Sequence, residues 1–217
     1  MQNNLPLFND NNIGFYQYIK IDTFKSFAQL QGFDTCVDVA TIFPYLQNAK
    51  VLLELGAGYG RVVRGLLDRG FQGKIIAVER VAELIDYLKN NIPEIVVLEQ
   101  QDLKKLTLDV APDAITWMWS GILELSPIEQ VAIIQHLYNL MADGGKLFIE
   151  IPRKVRYVGV HIDEQHIKVE AEWGKIDAYM PRHEELLAYA QKAGFSKTTW
   201  IEYETSKLER IVYILEK

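Results

Sequence analysis

The chain has 217 residues, 49% of them hydrophobic and 24% charged, and a formal net charge of -6. That suffices for one α/β domain with a single continuous core, and no apolar run approaches the roughly 18 residues of a spanning helix. The acidic balance, without a dense Lys/Arg run, excludes broad attraction to nucleic acid or an anionic membrane, and the lone Cys36, with no ligand-spaced partner, excludes an internal disulfide or a zinc site.

Met1 to Pro6 carry neither a basic leader nor an apolar segment, which points to the cytoplasm. Residues 1–33 read as an N-terminal extension. Its first dozen residues are polar and expected to be mobile, and the aromatic cluster Phe15-Tyr16-Gln17-Tyr18-Ile19 that follows is a candidate lid. Residues 34–217 read as one domain. Asp34 is placed to cap a helix over 35–43, which Pro44 would end or kink.

An alternation then begins. Residues 50–55 form a β run ending in glycines, 61–69 a helix, 74–79 a buried strand, 81–90 a helix and 94–98 a third strand. A loop over 101–112 leads to a fourth strand over 114–119. Ser126-Pro127-Ile128-Glu129 is a capping box with proline in the first turn. The helix it opens presents Ile128, Val131, Ile134, Leu137 and Met141, and Gly144-Gly145 turns the chain into a fifth strand over 146–151. Such alternation predicts a mainly parallel sheet covered on both faces. An insertion at about 153–180 breaks the pattern: Ile167, Val169, Ala171 and Trp173 alternate with charged residues, then a turn near Gly174 leads to Ile176, Ala178 and Met180, as in a β-hairpin. After a helix over 182–193 ended by Gly194, the runs 197–203 and 210–216 pair as an antiparallel hairpin.

Gly56-Ala57-Gly58-Tyr59-Gly60 follows a strand and opens a helix, so its backbone can approach a ligand and aim amide groups at it. By itself this admits a plain structural turn or a nicotinamide-nucleotide site. The dinucleotide spacing, however, would place its third glycine at position 61, where this chain has Arg61.

Glu54-Leu55-Gly56-Ala57-Gly58-Tyr59-Gly60 resembles the acidic-x-Gly-x-Gly-x-Gly signature of class I S-adenosylmethionine-dependent methyltransferases. Glu79 at the end of the second strand, Gln101-Asp102-Leu103 after the third, Asp113 before the fourth and Met141-Ala142-Asp143-Gly144-Gly145 before the fifth resemble the same family. The resemblance covers residues 34–217. It implies a Rossmann-like fold with a seven-stranded, mostly parallel sheet, a C-terminal antiparallel hairpin, helices on both faces, and S-adenosyl-L-methionine as cofactor. Carried over residue by residue, Glu54 faces the methionyl amino group, and Gly56 and Gly58, with Leu55 and Ala57 in the same turn, underlie the methionine and ribose. Glu79 accepts from both ribose hydroxyls with Arg80 beside it, Asp102 and Leu103 meet the adenine, and Met118 or Trp119 approaches the methionine portion. Trp117 and Trp119 recur at strand spacing, so one face of the fourth strand can border the transfer site while the other packs in the core.

No Asn-Pro-Pro-Tyr or Asp-Pro-Pro-Tyr follows the fourth strand, which counts against DNA and glutamine amino-methylation. Cys36 lies outside the region a cytosine-carbon mechanism needs, and no dense Asp/Asn cluster supports a metal-dependent O-methyltransferase. A small-molecule acceptor fits better than a protein. The variable segments at the expected mouth supply Tyr16, Tyr18, Arg153, Arg156 and Tyr157 as substrate contacts, and His161 or His166 as a base if the acceptor carries a proton. A non-catalytic binding protein of the same fold and an NAD-dependent oxidoreductase remain as alternatives. The sequence carries no signal for oligomeric state.

Overall fold

The structure, a computed structural model, describes residues 9–99, 103–153, 160–161, 163–172 and 174–217. Two short helices lead the chain, α1 (Asn9–Gln17) and α2 (Ile21–Leu30), followed by α3 (Val37–Ile42). Strands and helices then alternate, with no α-helix among the described residues between the third and fourth strands: β1 (Val51–Leu55), α4 (Arg61–Asp68), β2 (Lys74–Glu79), α5 (Ala82–Asn91), β3 (Val96–Glu99), β4 (Ala114–Trp117) and α6 (Pro127–Leu140). Then come β5 (Lys146–Pro152), the inserted strands β6 (Val160–His161), β7 (His166–Ala171) and β8 (Gly174–Tyr179), α7 (His183–Ala193), and the pair β9 (Lys197–Glu204) and β10 (Glu209–Glu216).

The main sheet has seven strands in the order β3-β2-β1-β4-β5-β10-β9. β1 to β5 pair in parallel, while β10 runs antiparallel between β5 and β9. Sequence explains that placement. Ile211 to Leu215 are apolar without interruption and buried, as in a strand covered on both faces, whereas β9 alternates polar and partly buried residues and forms the edge. Alternate residues along β10 divide between two cores: Ile211, Tyr213 and Leu215 face α6 and α7, and Val212 and Ile214 face the α3–α4 side. The inserted hairpin forms a second, three-stranded antiparallel sheet in the order β6-β7-β8.

Several local expectations change. Residues 9–12 are helical, and Asn12 is fully buried because its amide finds backbone partners. Asp34 does not cap α3: the residue before that helix is Cys36, held in the left-handed region at φ 50, and Pro44 sits inside a short 3-10 turn (Phe43–Tyr45) that continues from α3. On α6 the buried face is Gln130, Ile133, Ile134 and Leu137, with Ile128 67% exposed and Val131 only partly buried. Ile128 is nine residues from Leu137, a rotation of roughly 180° about a helix of 3.6 residues per turn, so a face stepped by threes drifts off the core. The capping box itself is present, with the Ser126 amide donating to the Glu129 carboxylate at 3.0 Å. β4 ends at Trp117 because Trp119 and Ser120 take φ of 52 and 66 and turn the chain out of the sheet.

Candidate active site

The C-terminal ends of the parallel strands meet a cavity of about 290 Å³. Its floor is the loop between β1 and α4. Gly56 has φ +64 and lines the cavity, and a Cβ there would meet nothing within 4 Å, so the missing side chain leaves room for a ligand. Gly60 answers a different demand. At φ +83, a Cβ would stand 2.4 Å from Ile92 Cδ1 and 2.8 Å from Leu88, so glycine lets α4 and α5 close behind the loop. The Ala57 amide donates to the Val78 carbonyl at 3.0 Å and ties the loop to β2.

Glu79 ends β2 and lines the cavity. Its Oε2 accepts from the Gly58 amide at 2.8 Å, and its Oε1 accepts from the Arg80 and Val81 amides at 2.7 and 3.0 Å. A carboxylate has about four acceptor positions. Three are taken by backbone, so Glu79 both fixes the floor and keeps acceptor capacity on Oε2.

Glu54 is buried and does not line the cavity. It is bonded by the Thr116 hydroxyl, and burial pushes its pKa up to about 8, opposed by that bond and by Arg61. Arg61, the residue that departs from the dinucleotide spacing, pairs through two nitrogens with Asp38 at 2.8 and 2.7 Å, both side chains being buried. Its guanidinium lies 4.7 Å from the Phe33 ring centroid, and that of Arg210 lies 5.3 Å from it. Arg210 binds the fully buried Glu150 through Nε and, at 2.8 Å, through a terminal nitrogen, and the same nitrogen donates to the Ser120 hydroxyl at 2.5 Å. The Tyr203 hydroxyl completes the group with a 2.9 Å bond to Glu150. These pairs set the loop after β4: Trp119 stacks on Phe24 at 5.1 Å and donates its indole N–H to Gln31 at 2.9 Å.

The roof is formed by α1, α2 and the inserted sheet. Asn12 links α1 to the inserted sheet and to Glu124: its amide nitrogen donates to the carbonyls of Asp177 and Glu124 at 2.8 and 3.2 Å, and its oxygen accepts from the Asp177 amide at 2.8 Å. Gln130 makes the matching tie from α6, donating to the carbonyls of Tyr179, Ile122 and Leu125 at 3.0 to 3.1 Å. Ile167, Val169, Ile176 and Ala178 of the inserted sheet turn inward and make this side of the cavity apolar. One polar group interrupts it. The Tyr16 hydroxyl donates to Glu124 Oε1 at 2.5 Å, and Arg80 approaches Glu124 Oε2 at 3.4 Å. Burial raises the pKa of both Tyr16 and Glu124.

Of the residues singled out in the sequence, Leu55, Gly56, Gly58, Glu79, Arg80, Leu103, Met118, Trp119 and Tyr16 line this one cavity, and Glu54 and Ala57 do not. Tyr18 is 71% exposed. Arg153 turns to Glu202 at 3.0 Å, and His166 to Asp163 at 2.6 Å, neither lining the cavity. The backbone of His161 pairs with Ile167, while Asp102, Arg156 and Tyr157 lie outside the described residues. Sequence reasoning missed Asp38, Glu124, Glu150 and Arg210. For two of them a signal existed: Glu150 and Arg210 interrupt or flank otherwise apolar strands, and a charge buried in such a strand requires an opposite partner. Among the described residues no group of three or more His, Cys, Asp or Glu could hold a metal ion, and no helix is long and apolar enough to cross a membrane.

A family model described as a methyltransferase domain matches residues 28–199. An uncharacterised methyltransferase of Mycobacterium bovis is 27% identical over 103 residues, a stretch that spans 46% of this chain and 38% of that protein. The fold is similar to that of an S-adenosylmethionine-bound amino pentose methyltransferase of Micromonospora echinaspora involved in calicheamicin biosynthesis. That match has a TM-score of 0.70 at 15% identity over 90% of this chain and 98% of that one. A glycopeptide N-methyltransferase complexed with S-adenosyl-L-homocysteine is similar with a TM-score of 0.68 at 12% identity, over 91% of this chain and 98% of that one.

Proposed function

The chain belongs to the methyltransferase-domain family, and from that premise we propose that it transfers a methyl group from S-adenosylmethionine to a small-molecule acceptor. The observation that carries this reading is the single cavity in which the glycine floor and Glu79 face the apolar inserted sheet. The residues present suit the cofactor. Gly56 leaves space where a side chain would intrude, and Glu79 offers a carboxylate oxygen for a ribose diol. Gly58, Leu103, Arg80, Met118 and Trp119 supply the remaining walls, with Asp102 assigned to the adenine.

When bound, the cofactor supplies an electrophilic methyl carbon on a sulfonium. The protein's part is to hold, orient and keep dry. The glycine loop and Glu79 fix one reactant, and the inserted sheet with α1 holds the other and excludes water. Alignment of this kind is worth on the order of 7 to 11 kcal/mol at best. An acceptor enclosed beneath a roof is more readily a small molecule than a side chain on a folded protein.

Isothermal titration calorimetry with S-adenosylmethionine, S-adenosylhomocysteine and NAD tests the cofactor. Selective binding of the two adenosyl sulfur compounds is expected, weakened about tenfold or more in Glu79→Gln, which loses a charged acceptor. NAD selectivity, or unchanged affinity in the variant, would overturn the assignment. Formation of S-adenosylhomocysteine against panels of small molecules and of peptides, read by mass spectrometry, then tests the acceptor class.

A further inference from the structure

Resting on the methyltransferase reading, we propose that the acceptor is an apolar amine and that Glu124 is the residue that receives it, attracting its ammonium form and taking one proton from it. Glu124 is the polar feature that stands apart on the roofed side. It lines the same cavity as Ile167, Val169 and Ile176, and its side chain keeps 22% of its surface accessible. Its two oxygens differ. Oε1 accepts the short bond from Tyr16, whereas Oε2 has only the 3.4 Å contact with Arg80 and retains acceptor capacity.

The charged and titratable groups facing Glu124 are Tyr16 from α1, Arg80 from the loop after β2, and Glu79 from the end of β2. Tyr16 stays a neutral donor, since burial and the neighbouring Glu124 charge raise its pKa well above the ordinary tyrosine value. Two carboxylates therefore stand against one guanidinium, a balance that favours a cation and repels an anion. Burial raises the Glu124 pKa, with Arg80 and the Tyr16 bond opposing and Glu79 adding to the rise. A carboxyl shifted that way is a better proton acceptor than one at the surface. His166, the sequence-level candidate for this role, points to Asp163 outside the cavity.

The chemistry balances without a further reactant. The ammonium gives one proton to Glu124 Oε2, leaving a carboxylic acid and a neutral amine. The freed nitrogen lone pair forms the N–CH3 bond while the C–S bond breaks and leaves its electron pair on sulfur. A sulfonium and an amine become a thioether and a methylammonium. An alcohol would gain a hydrogen bond but no charge attraction, and a carboxylate is too weak a base to ionise it.

The test uses the full chain saturated with S-adenosylhomocysteine and three probes of similar shape: 2-phenylethylamine, 2-phenylethanol and phenylacetate. Calorimetry should show the amine binding at least tenfold more tightly than the alcohol, and phenylacetate weakest of all. Glu124→Gln should reduce the amine preference to within about threefold while leaving S-adenosylhomocysteine affinity unchanged. Equal binding of amine and alcohol, binding of none of the three, or an amine preference that survives Glu124→Gln would overturn the proposal. Failure of S-adenosylhomocysteine itself to bind would instead overturn the methyltransferase reading, and this inference with it.

Discussion

On the floor of the cavity, Gly56, Gly58 and Gly60 lie within one loop, and Glu79 reaches the Gly58 amide across 21 positions. On the roof, Asn12 meets Asp177 across 165 positions and Tyr16 meets Glu124 across 108. The floor is specified by backbone demands that only certain residues satisfy. The roof is specified by where two distant segments happen to dock once the sheet has formed. Damage beneath the floor should therefore be felt by the whole domain, and damage to the roof should stay local.

The largest effect is expected from Glu150→Ala, which leaves Arg210 buried without its carboxylate. Losing one partner of a buried pair costs about 3 to 5 kcal/mol, and denaturant unfolding should show the loss as a lower midpoint for the entire domain. A change confined to hydrogen exchange in α1 and β8 would break the distinction between floor and roof.

A second effect is spread over several pH units and is smaller within any one of them. Glu54, raised by burial to about 8 from a usual value of 4.5, binds its proton more tightly in the folded state than in the unfolded one. Its contribution is thus fully present below 4.5 and is lost as pH rises through about 8. Between those values the slope can approach ~1.4 kcal/mol per pH unit. Glu54→Gln should flatten the decline in stability across that window, measured by urea unfolding at several pH values. An identical pH profile in the variant would remove Glu54 from the account.

The smallest effect is expected from Asn12→Ala. It strands the Asp177 amide and carbonyl, at about 1 to 2 kcal/mol. The loss should appear as faster amide exchange in α1 and β8, with the unfolding midpoint of the main sheet little changed. Slower release of bound S-adenosylhomocysteine in this variant would contradict the role of α1 as part of a cover.

The contrast also explains what the sequence revealed. Five parallel strands, the C-terminal hairpin and the inserted hairpin announce themselves through local period and turn chemistry, as Ser126 and Gly194 do for the helix ends they mark. The glycine loop and Glu79 were legible for the same reason: each follows directly from a strand end. Glu124 was not, since it sits in a short 3-10 turn (Gly121–Glu124) whose sequence resembles any connection, and its meaning comes from Tyr16 on another element. The fourth strand stops two residues short of the expected 119, because nothing in the sequence announces that Trp119 and Ser120 are both left-handed. Arg61 shows the reverse: its departure from the dinucleotide pattern was visible, but its partner Asp38 became visible only when α3 packed against the loop.

One further consequence follows from the way Asn12 bonds to Asp177. β8 is an outer strand of its small sheet, and the Asn12 amide supplies that strand with a donor and an acceptor, as a neighbouring peptide group would. A single side chain thus occupies hydrogen-bonding positions that would otherwise be open to a strand from another molecule, a known route to aggregation. The helix that covers the cavity therefore also guards the protein's solubility.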